Sequence, residues 1–114
     1  MDTLKPKQTF KDTTVKSDSL PISKGQNVEF RVFPTKFDPA VNEFTVFIEC
    51  THDGVNWKTY LKASGTLNLS KKDIAEGLLY GLSPLHDKID ESCQVRLRVE
   101  VKGEVEFSIE GGIV

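Results

Sequence analysis

The sequence contains few of the residues that build catalytic or metal centres, and it contains no long apolar run. Its 114 residues include only two cysteines, two histidines, one methionine and one tryptophan. No apolar stretch approaches the roughly 20 residues that a membrane-spanning helix requires, so the pattern excludes such a helix. Cys50 and Cys93 have no histidine or cysteine neighbours at the spacing of a known metal site, which argues against a metal cofactor.

An excess of charge of one sign is also missing. The formal net charge is −2, and acidic and basic residues are interspersed without long runs. A nucleic-acid-binding surface needs clustered basic residues, and a membrane-surface contact needs a polybasic segment. We therefore expect neither nucleic acid nor a membrane as the partner of this chain.

The first seven residues lack the apolar region of a secretory signal peptide, so a cytoplasm is the expected site of synthesis and folding. A reducing cytoplasm keeps thiols free. Cys50 falls on the inward phase of a predicted strand, where it would pack as a small core residue. A disulfide between Cys50 and Cys93 stays open as the alternative.

Alternation of apolar and polar residues, the pattern of half-buried strands, dominates the chain. It is clearest at residues 28–32, 44–50, 57–61, 95–101 and 105–109. Seven to nine short strands separated by turns predict an all-β protein. We expect a two-layer antiparallel β-sandwich of the jelly-roll or Ig-like type.

Two regions depart from this alternation. Residues 1–8 have no periodic pattern and are predicted to form a flexible N-terminal arm, followed by a single β-sandwich domain at 9–114. Ser70 and Asp73 resemble a capping box, which predicts at most one short helix near residues 71–79. An edge strand that begins at Leu78 is an equally good interpretation of the end of this region.

The dipeptide Asp53-Gly54 lies between two alternating segments. It is a strong hairpin signal, because a two-residue type I′ turn needs positive φ angles that these residues tolerate. A turn of this length would place Cys50 opposite Trp57 on the buried face. Asp53 and Gly54 are therefore predicted to form the structural turn, and Trp57 is predicted to lie in the core.

The last two alternating segments predict a second hairpin, with residues 102–104 as a three-residue loop. This loop length matches the two apolar faces, because Val101 would face Val105 and Leu97 would face Ile109.

No catalytic constellation is evident, so we expect neither enzymatic activity nor a cofactor. His52 lies at the first hairpin and His86 in a predicted loop, and nothing in the sequence brings them together. Asp87, Asp90 and Glu91 match no calcium-loop spacing, so a solvated loop is the better interpretation of these carboxylates.

The outward phase of the strands carries the candidate partner contacts. The predicted turn pairs Phe47 with Tyr60 on the outer face, where they form either a covered surface pair or a contact patch. Together with Trp57 they could also form an aromatic platform for a glycan. Arg96 and Arg98 point outward on a later strand, where a solvated face is the default interpretation.

Four segments within residues 26–112 together carry a family resemblance. They are an alternating strand at 44–49, the turn Thr-His-Asp-Gly-Val-Asn-Trp at 51–57, an Arg-rich strand at 95–99 and a final strand at 107–109. In this order they resemble small virion structural proteins of tailed phages, of the head-decoration or minor structural type, whose turn reads Ser/Thr-x-Asp-Gly-x-x-Trp. A similar turn occurs in longer, discoidin-like domains that bind carbohydrates or lipids.

The resemblance implies a non-enzymatic protein that binds capsid or other virion proteins and decorates or stabilises the capsid lattice. Its location would be the virion, after synthesis in the host cytoplasm. It also implies a homo-oligomer, with a trimer expected because lattice positions on phage heads have threefold or quasi-threefold symmetry. A carbohydrate-binding β-sandwich or another protein-interaction domain is the alternative.

Overall fold

The computed structural model describes residues 2–23, 25–37, 43–65, 75–82 and 93–114, and most of these residues lie in β-strands. The strands pair antiparallel in one curled sheet. The predicted all-β class is therefore confirmed, and the curled sheet is consistent with a sandwich-like fold. The strands are β1 (Asp2–Lys16), β2 (Leu20–Ile22), β3 (Val28–Phe37), β4 (Glu43–Thr51), β5 (Lys58–Gly65), β6 (Leu78–Leu82) and β7 (Cys93–Ile113).

Strand β7, with 21 residues, is the centre of the sheet. β1 and then β2 pair along one of its edges, and β3 and then β4 pair along the other. β6 extends the sheet beyond β3, and β5 extends it beyond β4. The sheet thus has two halves that share β7. We name them the β6 half (β6, β3 and residues 105–113) and the β5 half (β5, β4 and residues 93–102).

Both long strands bend at the same corner between these halves. Asp12 of β1 has a φ of 45°, and Gly103 of β7 has a φ of 87°. The backbone N–H of Gly103 donates to Oδ1 of Asp12 at 2.8 Å, and the β1–β7 register shifts between Lys11 and Thr13. An extra residue in one strand of a pair bends the strand and increases its twist. The bend at Asp12 and Gly103 therefore folds the two halves of the sheet towards each other.

The curl brings the two ends of β1 close together. The backbone N–H of Asp18, just after β1, donates to the carbonyl oxygen of Leu4 near its start at 2.9 Å. Ser17 continues the pairing with β7, because its N–H donates to the carbonyl of Leu97 and its hydroxyl accepts the Leu97 N–H, both at 2.9 Å.

One continuous apolar core fills the space between the halves. Phe107 lies at its centre, with its ring centroid 4.8 Å from that of Phe10 and 5.6 Å from that of Phe44. Cys50 and Cys93 are buried in this core as free thiols, which confirms the predicted placement of Cys50. The fully buried side chains include Val28, Phe30, Val32, Val46, Ile48, Val95, Leu97, Val99, Val105, Phe107 and Ile109.

The predicted hairpin at residues 102–104 is wrong, because these residues lie inside β7. Val101 and Val105 are both buried on the inner face of one continuous strand rather than opposite each other. The alternation persists through Gly103, so a single long strand also keeps every apolar residue inward. The continuous strand also pairs with β1 on both sides of the bend at Gly103.

The N-terminal arm predicted for residues 1–8 is a strand from Asp2 onward. Asp2 lies opposite Gly111 and Gln8 opposite Phe107, so these residues form the first half of β1. The segment lacks apolar periodicity because it contributes little to the core, with Leu4 as its buried residue. Lysines and Pro6 are typical of an edge strand that avoids pairing with other chains.

The helix predicted near residues 71–79 falls partly on residues 71–74, which lie outside the described residues. In the described part, Ala75 and Glu76 are helical, and Leu78–Leu82 form β6. The edge-strand interpretation of this segment is therefore confirmed. Over the residues that the structure describes, we find no helix of the length and apolar character needed to cross a bilayer.

Candidate protein-contact face

The connection between β4 and β5 is longer than the predicted two-residue turn. Cys50 lies opposite Lys58, and Phe47 lies opposite Lys62. The predicted pairs of Cys50 with Trp57 and of Phe47 with Tyr60 are therefore wrong. The loop contains six residues, from His52 to Trp57, because β4 ends at Thr51 and β5 begins at Lys58.

The Asp53 side chain holds this loop in place. Its Oδ1 accepts the backbone N–H groups of Val55 at 2.8 Å and Asn56 at 2.7 Å, and its Oδ2 accepts the Asn56 side-chain amide at 2.7 Å. The Thr51 hydroxyl donates to Oδ1 at 3.0 Å and accepts the N–H of Gly54 at 3.0 Å. Gly54 has a φ of 79°, which glycine adopts without strain. Asp53 and Gly54 thus form the turn, as predicted, through a side-chain-capped loop of different geometry.

These hydrogen bonds, above all the one from the Asn56 backbone N–H and next the one from the Val55 backbone N–H, lower the pKa of Asp53 below its ordinary value of about 3.9. A carboxylate with a lowered pKa in the folded state contributes stability above its unfolded pKa and loses it as the pH falls through the folded pKa. We expect the Val55 and Asn56 amide signals to titrate well below pH 3.9 in NMR spectra. A midpoint at or above 3.9 would contradict the hydrogen-bonded loop, and D53N is the control that should abolish the titration.

A bulge in β5 reverses the predicted orientation of Tyr60. Ile48 lies opposite Leu61 and Glu49 lies opposite Thr59, so Tyr60 is the extra residue between them. The Tyr60 ring packs against the core rather than on the outer face. Its predicted outward orientation is therefore wrong.

The outer face of the β5 half carries two stacked pairs of an arginine and an aromatic ring. The Arg96 guanidinium carbon lies 3.7 Å from the ring centroid of Trp57, and that of Arg98 lies 3.8 Å from the ring centroid of Phe47. Such stacking is worth about 0.5–1 kcal/mol at exposed sites and more where water is excluded. Trp57 is half-buried on this face and absent from the core, so its predicted core placement is wrong.

Glu49 joins the two arginines. Its Oε1 accepts from Nε of Arg96 and its Oε2 accepts from Nε of Arg98, both at 3.1 Å. The Glu49 side chain is 8% exposed, against 17% and 21% for the two arginines. Arg98 also donates through its Nη1 to Oε1 of Glu100 at 2.6 Å. Strand register places these groups together, because Glu49 lies opposite Arg96 and Phe47 lies opposite Arg98.

We name this cluster the Arg96–Arg98 face; it consists of Phe47, Glu49, Trp57, Arg96 and Arg98. Three of the four predicted contact residues belong to it, and only Tyr60 does not. The sequence reasoning missed Glu49 as a member. Its outward phase in β4 follows from the alternation, but its neighbour Arg96 lies on β7, and the alternation does not specify that these strands pair.

Replacement of Trp57 by alanine should cost less than the loss of a core tryptophan. The ring stacks on one guanidinium and is half-buried, so we expect the free energy of unfolding to fall by about 1–2 kcal/mol rather than the 3–5 kcal/mol of a core site. Urea denaturation followed by circular dichroism measures this loss. A cost above about 3 kcal/mol would place the ring back in the core.

A small cavity of about 270 Å³ opens beside the loop. Its walls are contributed by the end of β4, the loop and the start of β5, and it reaches the buried Cys50. The lining residues are Cys50, Thr51, His52, Asp53, Asn56, Lys58 and Tyr60.

The remaining candidates form no second centre among the residues that the structure describes. His86, Asp87, Asp90 and Glu91 lie outside them. Within the described part of the chain, no group of three or more histidine, cysteine or acidic side chains is arranged to hold a metal ion.

Comparisons of the chain with protein-family models, with curated proteins and with solved structures find no match.

Proposed function

We propose that this chain is a non-enzymatic structural protein of a phage virion, which decorates or stabilises the capsid lattice by binding through the Arg96–Arg98 face. The observation that supports this proposal is the prearranged geometry of that face. Arginine and tryptophan are enriched at the centres of protein interfaces. Side chains already fixed by stacking and by a shared carboxylate lose little conformational entropy when a partner binds.

The charge around the face indicates the chemistry of the partner surface. Among the described residues that the strand register places there, cations outnumber carboxylates, although the whole chain has a net charge of −2. An acidic region of a capsid or other virion protein would complement this surface and orient the encounter. The cations are Lys16, Lys62, Arg96 and Arg98, and the carboxylates are Glu49 and Glu100.

The His52–Trp57 loop supports the same proposal, because together with Thr51 it forms the turn on which the resemblance to virion proteins rests. Asp53 fixes its backbone, and Val55 at its tip is 78% exposed. A rigid loop that presents an apolar side chain beside a stacked arginine is suited to a protein contact. The proposal includes a homo-oligomer, with a trimer at threefold lattice positions as the expected form.

Quantitative mass spectrometry of phage-like particles from the source culture tests the proposal directly. A ratio to the major capsid protein near one, or near one to three, is expected for a lattice decoration protein. A few copies per particle would indicate a neck or tail position instead. Complete absence from purified particles would contradict the proposal.

A matched pair of lysine variants tests the face itself. Lys62 lies over the Phe47 ring, with its Nζ 5.7 Å from the ring centroid. Lys5 of β1, which pairs with the β6 half, has its Nζ 5.9 Å from the Phe10 centroid. We expect Lys62→Glu to reduce the bound copies per particle several-fold, because it places an anion in the cationic surface. Lys5→Glu should leave binding unchanged. Equal effects of the two variants would argue against binding through this face.

A carbohydrate-binding function is the second candidate, and the cavity beside Tyr60 is the observation that favours it. A half-buried aromatic ring with His52, Asn56 and Lys58 nearby offers both stacking and hydrogen bonding to a small sugar. Glycan-array binding that Tyr60→Ala abolishes, in a variant that stays folded, would favour this function. Binding to particles that survives Tyr60→Ala would favour the lattice function.

A further inference from the structure

Strand register places the two cysteines on a diagonal of the β4–β7 pair, on the same face of the sheet. Cys50 is the penultimate residue of β4 and lies opposite Val95, while Cys93 is two residues before Val95 on the same face of β7. Residues in this diagonal relation across an antiparallel pair lie about 7–8 Å apart, with the Cβ atoms somewhat closer, so closing a disulfide here draws the strand ends slightly together. Both side chains point into the core, with exposures of 2% for Cys50 and 5% for Cys93.

Each thiol perturbs the pKa of the other, as expected for neighbouring side chains in the same core. Burial, together with the nearby Cys93, raises the pKa of Cys50 to about 12. Burial also raises the pKa of Cys93. Both groups therefore keep their protons at neutral pH, and the thiolate that reacts with oxidants is scarce. The resting state is a protonated, slowly reacting dithiol.

The cavity of about 270 Å³ beside the His52–Trp57 loop gives a route to this pair, because Cys50 forms part of its wall. One water molecule occupies about 30 Å³ in the liquid, so the cavity has room for several waters or for a small neutral peroxide.

We propose that Cys50 and Cys93 form an oxidisable dithiol site, in which hydrogen peroxide entering through the cavity produces an intrachain disulfide between β4 and β7. In the first step the Cys50 sulfur attacks one peroxide oxygen, the O–O bond breaks and one water leaves, giving a sulfenic acid. In the second step the Cys93 sulfur attacks the Cys50 sulfur, the S–S bond forms and a second water leaves. Two thiols lose two electrons and two protons, and one peroxide is reduced to two waters.

The cross-link would close the chain between residues 50 and 93 into a loop. Such a bond stabilises the folded state mainly by restricting the unfolded chain, provided that the native geometry accommodates it. The neighbouring Cys93 would also capture the sulfenic acid before a second peroxide converts it irreversibly to the sulfinic acid.

The test treats the reduced, folded protein with hydrogen peroxide at pH 7 and pH 9, blocks remaining thiols with N-ethylmaleimide and measures the intact mass without reductant. We expect a loss of about 2 Da per chain, with one peptide linking Cys50 to Cys93. The rate should rise about tenfold for each pH unit, because the thiolate fraction grows by that factor below the pKa. The oxidised protein should melt at least about 5 °C higher than the reduced protein.

The urea-unfolded chain and the single variants Cys50→Ala and Cys93→Ala are the controls. Two free thiols in the folded protein, under conditions that oxidise the unfolded chain, would overturn the proposal. Sulfinic acid on the folded wild type without a cross-link would overturn it as well. A cross-linked protein that melts below the reduced form would show that the thiols must leave their native positions to react, and it too would contradict the proposed site.

Discussion

Replacement of Phe107 by alanine should lower the free energy of unfolding by about 3–5 kcal/mol, which is a large share of the 5–15 kcal/mol that domains of this size have. Phe107 is fully buried, and its ring contacts Phe10 of β1 and Phe44 of β4. Truncation to alanine removes the apolar surface of the ring and leaves a cavity that the surrounding strands can close only partly. Because the lost contacts involve both halves of the sheet, we expect cooperative destabilisation of the whole domain.

Equilibrium urea denaturation, followed by far-UV circular dichroism, measures this loss, and the melting temperature should fall by more than about 10 °C. Val55→Ala is the control for removing an apolar side chain, because Val55 is 78% exposed and should change stability by less than about 0.5 kcal/mol. A cost below about 1 kcal/mol for Phe107→Ala would mean that the two halves do not pack around this ring.

The sequence predicted which segments form strands and which residues point inward, because the period-2 alternation in β3, β4 and β7 is a direct consequence of the pleat. The inward residues of these strands, such as Val46 and Leu97, are buried as expected. The alternation says nothing about which strand is the neighbour of which. One consequence is that residues 102–104, a plausible loop by local criteria, lie within the longest strand.

The register of β5 could not be predicted from the turn signal alone. Asp-Gly favours a two-residue turn through its backbone preferences, but the Asp53 carboxylate here accepts hydrogen bonds from Val55 and Asn56 and so stabilises a longer loop. The bulge at Tyr60 then shifts the phase by one residue, and a one-residue shift moves side chains to the opposite face.

The members of the Arg96–Arg98 face could be predicted only in part, because strand phase follows from the sequence whereas the positions after the loop and the bulge do not. Phe47, Arg96 and Arg98 lie on strands whose phase the sequence gives correctly, and they are found on one outer face. Trp57 and Tyr60 follow the loop and the bulge, and their predicted faces are wrong. Glu49 could have been assigned to the arginines only with knowledge that β4 and β7 are neighbours, which is information about topology.

Glu49→Gln should cost about 2–3 kcal/mol of stability, although glutamine keeps the shape of the side chain. Removal of one partner from a buried ion pair usually costs about 3–5 kcal/mol, because the remaining charge is left uncompensated. The arginines here keep 17% and 21% of their exposure, so water relieves part of that cost. The glutamine amide keeps one acceptor oxygen but turns an NH₂ donor towards the other guanidinium, and we expect the stacking of Arg96 on Trp57 to loosen. Near-UV circular dichroism of the sole tryptophan should report that change.

Glu100→Gln is the matched control, because Glu100 pairs with the same Arg98 at 2.6 Å but its side chain is 49% exposed. An exposed ion pair contributes about 0–1 kcal/mol, so the two variants should differ by at least about 1 kcal/mol in urea denaturation. Added salt should reduce the effect of Glu100→Gln more than that of Glu49→Gln, because screening acts mainly on solvent-exposed charges. Equal losses of stability in the two variants would mean that the burial of Glu49 between two arginines makes no additional contribution to the free energy of unfolding. The face would then be a set of independent surface pairs and not the prearranged surface on which the proposed binding depends.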